Sequence, residues 1–230
     1  MQSMRLVLVA SVVCCAAARA DLTIVQKIDG TEGTKRVVLK VKGDKARVEV
    51  NPQITTVLDA KTGELTTLLN DQKTVMHISG DKAKAMAEMV KSVVQDGAPE
   101  KAVPKPTGRK EKIGGFETEE YVSDTPKLHT AYWVAKNYPN AQNILAQMTV
   151  LQNGVFAAMR KGMPDFHDLP GLPLRTQIKM QGQGEITSTI DSLKTDPIAD
   201  SEFAIPADYS EMKLPDFLGG KKTPDKPGQE

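Results

Sequence analysis

From Leu22 onward, apolar and polar residues alternate in short runs. Leu22, Ile24 and Ile28 fall on one face of an extended segment; Thr23, Val25 and Lys27 fall on the other. Val37, Leu39 and Val41 repeat the pattern, and after Gly43-Asp44 so do Ala46, Val48 and Val50. A period of two with one polar face predicts an antiparallel meander wetted on one side. Thr55–Asp59, Glu64–Leu69 and Lys73–Ser79 continue it as short strands. The period then changes. Met86, Met89, Val90, Val93 and Val94 recur at helical spacing and predict an amphipathic helix over residues 81–95, capped by Ser79 or Asp81 and ended by Gly97.

Residues 97–108 contain Pro99, Pro104 and Pro106 and read as a proline-rich surface loop. Lys110–Asp124 follows as two extended pieces meeting at Gly114-Gly115, where a bulge or bend would curve the sheet. Leu128–Lys136 is a strand carrying Tyr132 and the single tryptophan, Trp133. Pro139 and Asn140 open a second helix over 140–161, with Ile144, Leu145, Met148, Leu151, Val155, Phe156 and Met159 on a broad apolar face. Leu174, Thr176, Ile178 and Met180, then Ile186, Ser188 and Ile190, alternate on either side of Gly182-Gln-Gly184 and predict a hairpin. Phe203–Pro206 is a last extended piece. Residues 211–230 lack large-scale apolar patterning and are expected to form a disordered tail.

Composition changes this picture in one place. Met1–Arg5 is a short basic lead, Leu6–Ala18 is apolar, and Ala18-Arg19-Ala20 has the small-x-small form of a cleavage site. Residues 1–20 therefore read as a signal peptide cut before Asp21, which makes 21–210 the domain and its location periplasmic or secreted. The apolar run is shorter than the roughly 20 residues a bilayer span needs. Both cysteines, Cys14 and Cys15, lie within it. Acylation there as a lipoprotein is the weaker reading, because Val13 rather than a small residue precedes Cys14.

A formal net charge of +1 and 4% aromatic residues give no reason to expect nucleic-acid binding. The histidines, His77, His129 and His167, have no second ligand at metal spacing on a shared helix. Asp165-Phe-His167-Asp168 reads as a solvated loop rather than a metal or acid–base site. Glu117, Glu119 and Glu120 read as a charged sheet face that resists edge pairing, rather than as a sugar or cation site. No nucleophile elbow or dinucleotide loop is present. An enzyme is not expected, and neither is a cofactor. The methionines suggest something else. Met is flexible and polarizable, and suits surfaces that accept varied apolar partners.

The order of motifs carries a resemblance. A leader, a meander, a helix, Gly114-Gly-Phe-Glu-Thr-Glu-Glu-Tyr121, a tryptophan strand, a second helix, Gly171-Leu-Pro-Leu-Arg175 before a hairpin, and Phe203-Ala-Ile-Pro-Ala-Asp-Tyr209 resemble the secreted bacterial DUF4412 family. More distantly they are similar to the LolA and LolB periplasmic lipoprotein carriers. The resemblance implies an α+β fold, a strongly curved antiparallel half-barrel with two main helices on its concave side. It also implies an apolar guest, a lipid or lipoprotein acyl chain. The candidate lining is Met86, Met89, Val93, Trp133, Leu145, Met148, Phe156, Met159, Ile178 and Met180. Arg47 and Arg175 are candidates, by strand position, for the carrier's functional arginine. The alternative is an envelope scaffold that binds a protein partner and holds no small molecule.

Overall fold

The computed structural model describes residues 21–94, 103–125, 128–152, 163–180 and 184–212. Residues 1–20, 95–102, 126–127, 153–162, 181–183 and 213–230 lie outside them, and with them the expected signal peptide and the second half of the expected second helix.

The first meander forms as the alternation predicts. It comprises β1 (Leu22–Gly30), β2 (Gly33–Lys42), β3 (Lys45–Asn51), β4 (Ile54–Asp59), β5 (Glu64–Leu69) and β6 (Thr74–Ile78). Its register places one apolar row straight across all six strands: Leu22, Val41, Ala46, Leu58, Leu65 and Ile78, each opposite the next. A parallel row on the same face runs Ile24, Leu39, Val48, Thr56, Thr67, Met76. Because side chains alternate across a strand, the row between them, Lys40, Arg47, Val57, Thr66 and His77, faces the other way.

Helix α1 (Gly80–Val94) leaves β6 and is seated at its first turn, where Ala83 is buried. Gly80 is obligatory there. A Cβ on it would stand 2.0 Å from the carbonyl oxygen of Thr62. The second meander is β7 (Lys105–Ile113), β8 (Phe116–Asp124), β9 (Leu128–Ala135), β10 (Leu172–Met180) and β11 (Gly184–Lys194). Between β9 and β10 lies α2 (Ala141–Met148), which tightens into a 3-10 turn over Thr149–Gln152.

β11 pairs with β1, so the two meanders join into one sheet of order β12-β6-β5-β4-β3-β2-β1-β11-β10-β9-β8-β7. The pairing is antiparallel apart from β12 (Ser210–Glu211), which runs parallel to β6. The sheet is long, curved and unclosed among the described residues, with β12 and β7 at its edges. Bulges at Val25/Gln26, Glu49/Asn51 and Pro173/Arg175 bend it.

Three expectations change. Gly114-Gly115 is neither bulge nor bend: Ile113 pairs with Phe116, and both glycines have positive φ (56° and 89°). That is the signature of a two-residue hairpin turn whose twist matches its strands. The proline-rich stretch is shorter than its composition suggests, since Lys105–Gly108 already belong to β7. An outermost strand tolerates Pro106, which donates nothing to its neighbour, and the register shifts between Pro106 and Lys110. Finally, Phe203 ends a 3-10 turn (Asp200–Phe203) rather than opening an extended piece.

One buried cluster unites Leu22, Ile24, Leu39, Val41, Leu58 and Leu65 with Trp133, Leu172, Leu174 and the α2 residues Ile144, Leu145 and Met148. Tyr121, Tyr132, Val134 and Leu169 form a separate cluster.

Candidate ligand-binding face and the comparisons

Trp133, Leu145 and Met148 are brought together, all buried in the main cluster. Ile178 and Met180 lie further along β10, half-buried and outside that cluster, with Ile178 opposite Ile186 and Thr130. Met86 and Met89 are exposed on α1, at 38% and 53%. Val93 is in α1, but its side chain is outside the described residues, as are Phe156 and Met159 altogether.

The charged groups around Trp133 were only partly legible. Arg175 stacks over the indole with its guanidinium carbon 5.5 Å from the ring centroid, and donates to both carboxylate oxygens of Glu111 at 2.8 and 2.9 Å. On the neighbouring strand Glu120 is 4% exposed. It accepts hydrogen bonds from Thr107 (2.7 Å) and Arg109 (3.0 Å). Its pairing with Trp133 across β8 and β9 is the signal that marks it as inward. Sequence reasoning grouped it with Glu117 and Glu119 and missed its burial.

The other acidic candidates serve the framework. Glu117 is exposed. Glu119 accepts from Lys136 at 2.6 Å, and that hydrogen bond holds its carboxyl below the ordinary value and raises the lysine. In the 165–168 cluster, Asp165 and Asp168 cap a 3-10 turn, the Asp165 N–H donating to Asp168 at 2.8 Å, while His167 is exposed. His77 lies 3.1 Å from the Thr66 hydroxyl and 3.3 Å from Glu64. His129 hydrogen-bonds Asp124. Among the described residues no three such side chains converge as a metal site.

Arg47 belongs to the opposite face. It donates to Glu49 (2.9 Å) and to the Glu202 carbonyl (2.7 Å). Nearby, Lys42, Asp44, Lys45, Asp59, Lys61, Asp200 and Phe203 line an open groove of about 300 Å³. Six of these seven residues are charged and the seventh is aromatic, so it differs from an acyl-chain tunnel, which is lined mainly by apolar side chains.

The fold and its side chains thus define an open antiparallel sheet bearing helices, with its charged groups committed largely to framework ion pairs. The chain belongs to the DUF4412 family, a domain of unknown function, matched over residues 21–209. No curated protein matches it significantly. Among solved structures it is similar to PNGF-II (11% identity, TM-score 0.40), covering 84% of this chain and 31% of that one. It is also similar to a putative outer membrane lipoprotein-sorting protein domain from Vibrio parahaemolyticus (11%, TM-score 0.32, 80% and 89% of the two chains). A LolA superfamily protein from Nitrosomonas europaea is a third (9%, TM-score 0.28, 80% and 89%). The chain spans about a third of the length of PNGF-II. Likenesses at this level establish no shared activity. Among the described residues no helix is long and apolar enough to cross a membrane.

Proposed function

We propose that this protein is a non-catalytic periplasmic or secreted binding protein that holds a lipid-like, apolar ligand between its sheet and its helices. In this reading α1 and α2 lie over the hollow side of the sheet. The observation that carries it is the reach of Arg175. It sits on β10, yet meets Glu111 on β7 across β8 and β9. Three strand spacings make roughly 14 Å in a flat sheet. Direct contact over that span fits side chains converging above a concave surface. Trp133, under Arg175, shares its cluster with α2. The methionines of α1 add to the case. The helix is seated through Ala83 at its start, and Met86 and Met89 remain exposed further along.

Native mass spectrometry of the purified chain, with titration by a fluorescent fatty acid, tests the proposal. A co-purifying apolar species, or saturable uptake weakened severalfold by Met86→Gln with Met89→Gln, is the expected result. A chain that carries nothing and takes up no probe overturns it.

The scaffold reading has one observation in its favour: every residue from Lys105 to Lys112 on the edge strand β7 is exposed. Pro106 and the adjoining bulge weaken it, since both discourage pairing at an edge. Specific recovery of one envelope protein by the intact chain, lost when β7 is altered, would favour it over a lipid ligand.

A further inference from the structure

After β11 the chain does not stop. Residues 195–212 cross the face of β2–β4 opposite the main cluster and end as β12 beside β6. This strap has a marked composition: Asp196, Asp200, Glu202, Asp208 and Glu211, with no lysine, arginine or histidine. The surface beneath it carries cations in excess, although Glu49 already pairs with Lys40 and Arg47 and Asp21 lies 3.9 Å from Lys42. Lys40 contacts Glu202 at 2.8 Å, Lys42 contacts Asp200 at 2.8 Å, Arg47 donates to the Glu202 carbonyl, and Lys73 meets Asp208 at 2.7 Å.

Apolar attachment is thin by comparison. Ile198 and Phe203 are the strap's buried apolar residues, and they pack with Val57 in a cluster of three. Backbone contacts complete the seat. Lys42 donates to the Ile198 carbonyl at 2.6 Å, and the Ile198 N–H donates to Asp21 at 2.7 Å. At the far end the Ser210 and Met212 amides donate to Lys73 and Val75 carbonyls. Beside the strap, Lys45 and Lys61 line the charged groove, and the charge of Lys45 acts on Asp200.

An acidic segment held on a lysine-bearing face by charge, through a 3-10 turn over Asp200–Phe203, two apolar anchors and a final short strand addition, uses the means by which a bound peptide is recognised. We propose that this face is a docking site for an acidic polypeptide that takes the strap's own course, and that the strap is its resident occupant, which must lift before a partner can bind. The partner chemistry is read from the strap itself. It has carboxylates spaced to meet Lys42 and Lys40, an aromatic anchor over Val57, and a terminal stretch that pairs with the β6 edge. Affinity for a free peptide is then limited by the fraction of chains whose strap is open. Higher ionic strength acts in two directions: it loosens the strap and weakens the competing peptide.

The test uses the full chain and a labelled synthetic peptide of residues 195–212, read by fluorescence anisotropy. Weakening the resident strap with Asp200→Asn and Glu202→Gln is expected to tighten peptide binding about tenfold over the unaltered chain. Adding Lys42→Met should remove that gain. A peptide of the same composition in scrambled order should bind about tenfold more weakly, since composition alone supplies charge but neither anchors nor register. Equal binding to both proteins, or equal binding of both peptides, overturns the proposal. Should the double variant not fold, hydrogen exchange on the unaltered chain decides. Raised salt must accelerate exchange in 198–212 at least about tenfold while β1–β5 hold, as for a locally opening unit. Uniform protection across strap and strands overturns the proposal.

Discussion

The two faces of the β1–β6 meander are covered in contrasting ways. On one, an apolar row runs from Leu22 to Ile78 beside a second from Ile24 to Met76 that includes Thr56 and Thr67, joined to the cluster that takes in α2. On the other, Lys40, Lys42 and Arg47 are met by Asp200 and Glu202 of the strap, and Val57 is covered by Ile198 and Phe203. The same strands present both surfaces, so backbone pairing cannot account for the difference. The dry face excludes water over a large continuous area and gains from each buried methylene. The charged face exchanges solvated ions for partly covered ion pairs, which repay much of their attraction in lost hydration and weaken with salt. The first surface is built to be permanent, the second to be reversible.

The most severe way to challenge that contrast is to empty the dry side. Leu22→Ala, at a side chain with no exposed surface, should lower unfolding stability by about 3 kcal/mol, seen as a lower urea midpoint with unchanged slope. A loss under about 1 kcal/mol would mean that this face is not the structural one. Gly80→Ala comes next. Its Cβ would meet the Thr62 carbonyl, and the start of α1 would have to move, at about 1–3 kcal/mol. Helical signal and urea midpoint should fall together.

Phe203→Ala sharpens the comparison from the other side. Strap protection in hydrogen exchange should fall at least about fivefold, while the urea midpoint stays nearly in place, as expected of a separately opening unit. If this truncation instead costs the roughly 3–5 kcal/mol of a core phenylalanine, the strap is integral and the contrast fails.

The smallest effect is that of acid. Hydrogen bonds from Lys42, Lys40 and Lys73 hold Asp200, Glu202 and Asp208 below their ordinary values of 3.8, 4.5 and 3.8. Carboxyls lowered in the folded state stabilise the strap above those ordinary values, and that stabilisation is lost as pH falls through the lowered ones. Exchange in 198–212, corrected for the intrinsic rate, should be flat from pH 7 to about 5 and rise below about 4, ahead of β1–β5. Coincident loss in both regions would remove the distinction.

How legible each part was follows from the same physics. Val37, Leu39 and Val41 announced their strand because one face is dry and the period is two. α1 declared itself by its spacing; it starts one residue before the expected Asp81, and the expected end lies outside the described residues. Gly114-Gly115 was read as curvature because a glycine pair marks special backbone without saying which kind. Only the Ile113–Phe116 register distinguishes a hairpin turn from a bulge. β12 was invisible, because two residues have no period and their pairing with β6 is tertiary. The acidity of 195–212 was in plain sight, yet its meaning depends on Lys40, Lys42 and Arg47, which lie over a hundred positions earlier. The site residues show the same limit. Trp133, Leu145 and Met148 come together, while spacing alone could not say that Met86 and Met89 would be left outside.

The seam between β1 and β11 joins Thr23 to Lys194. The earliest strand of the sheet therefore waits for nearly the last one before its second edge is satisfied. Pairings so distant in sequence slow folding. A nascent chain would hold two half-sheets with open margins until residue 194 emerges. Assembly of this protein thus waits until residue 194 is available, and a chaperone acting on it would be expected to shield β1.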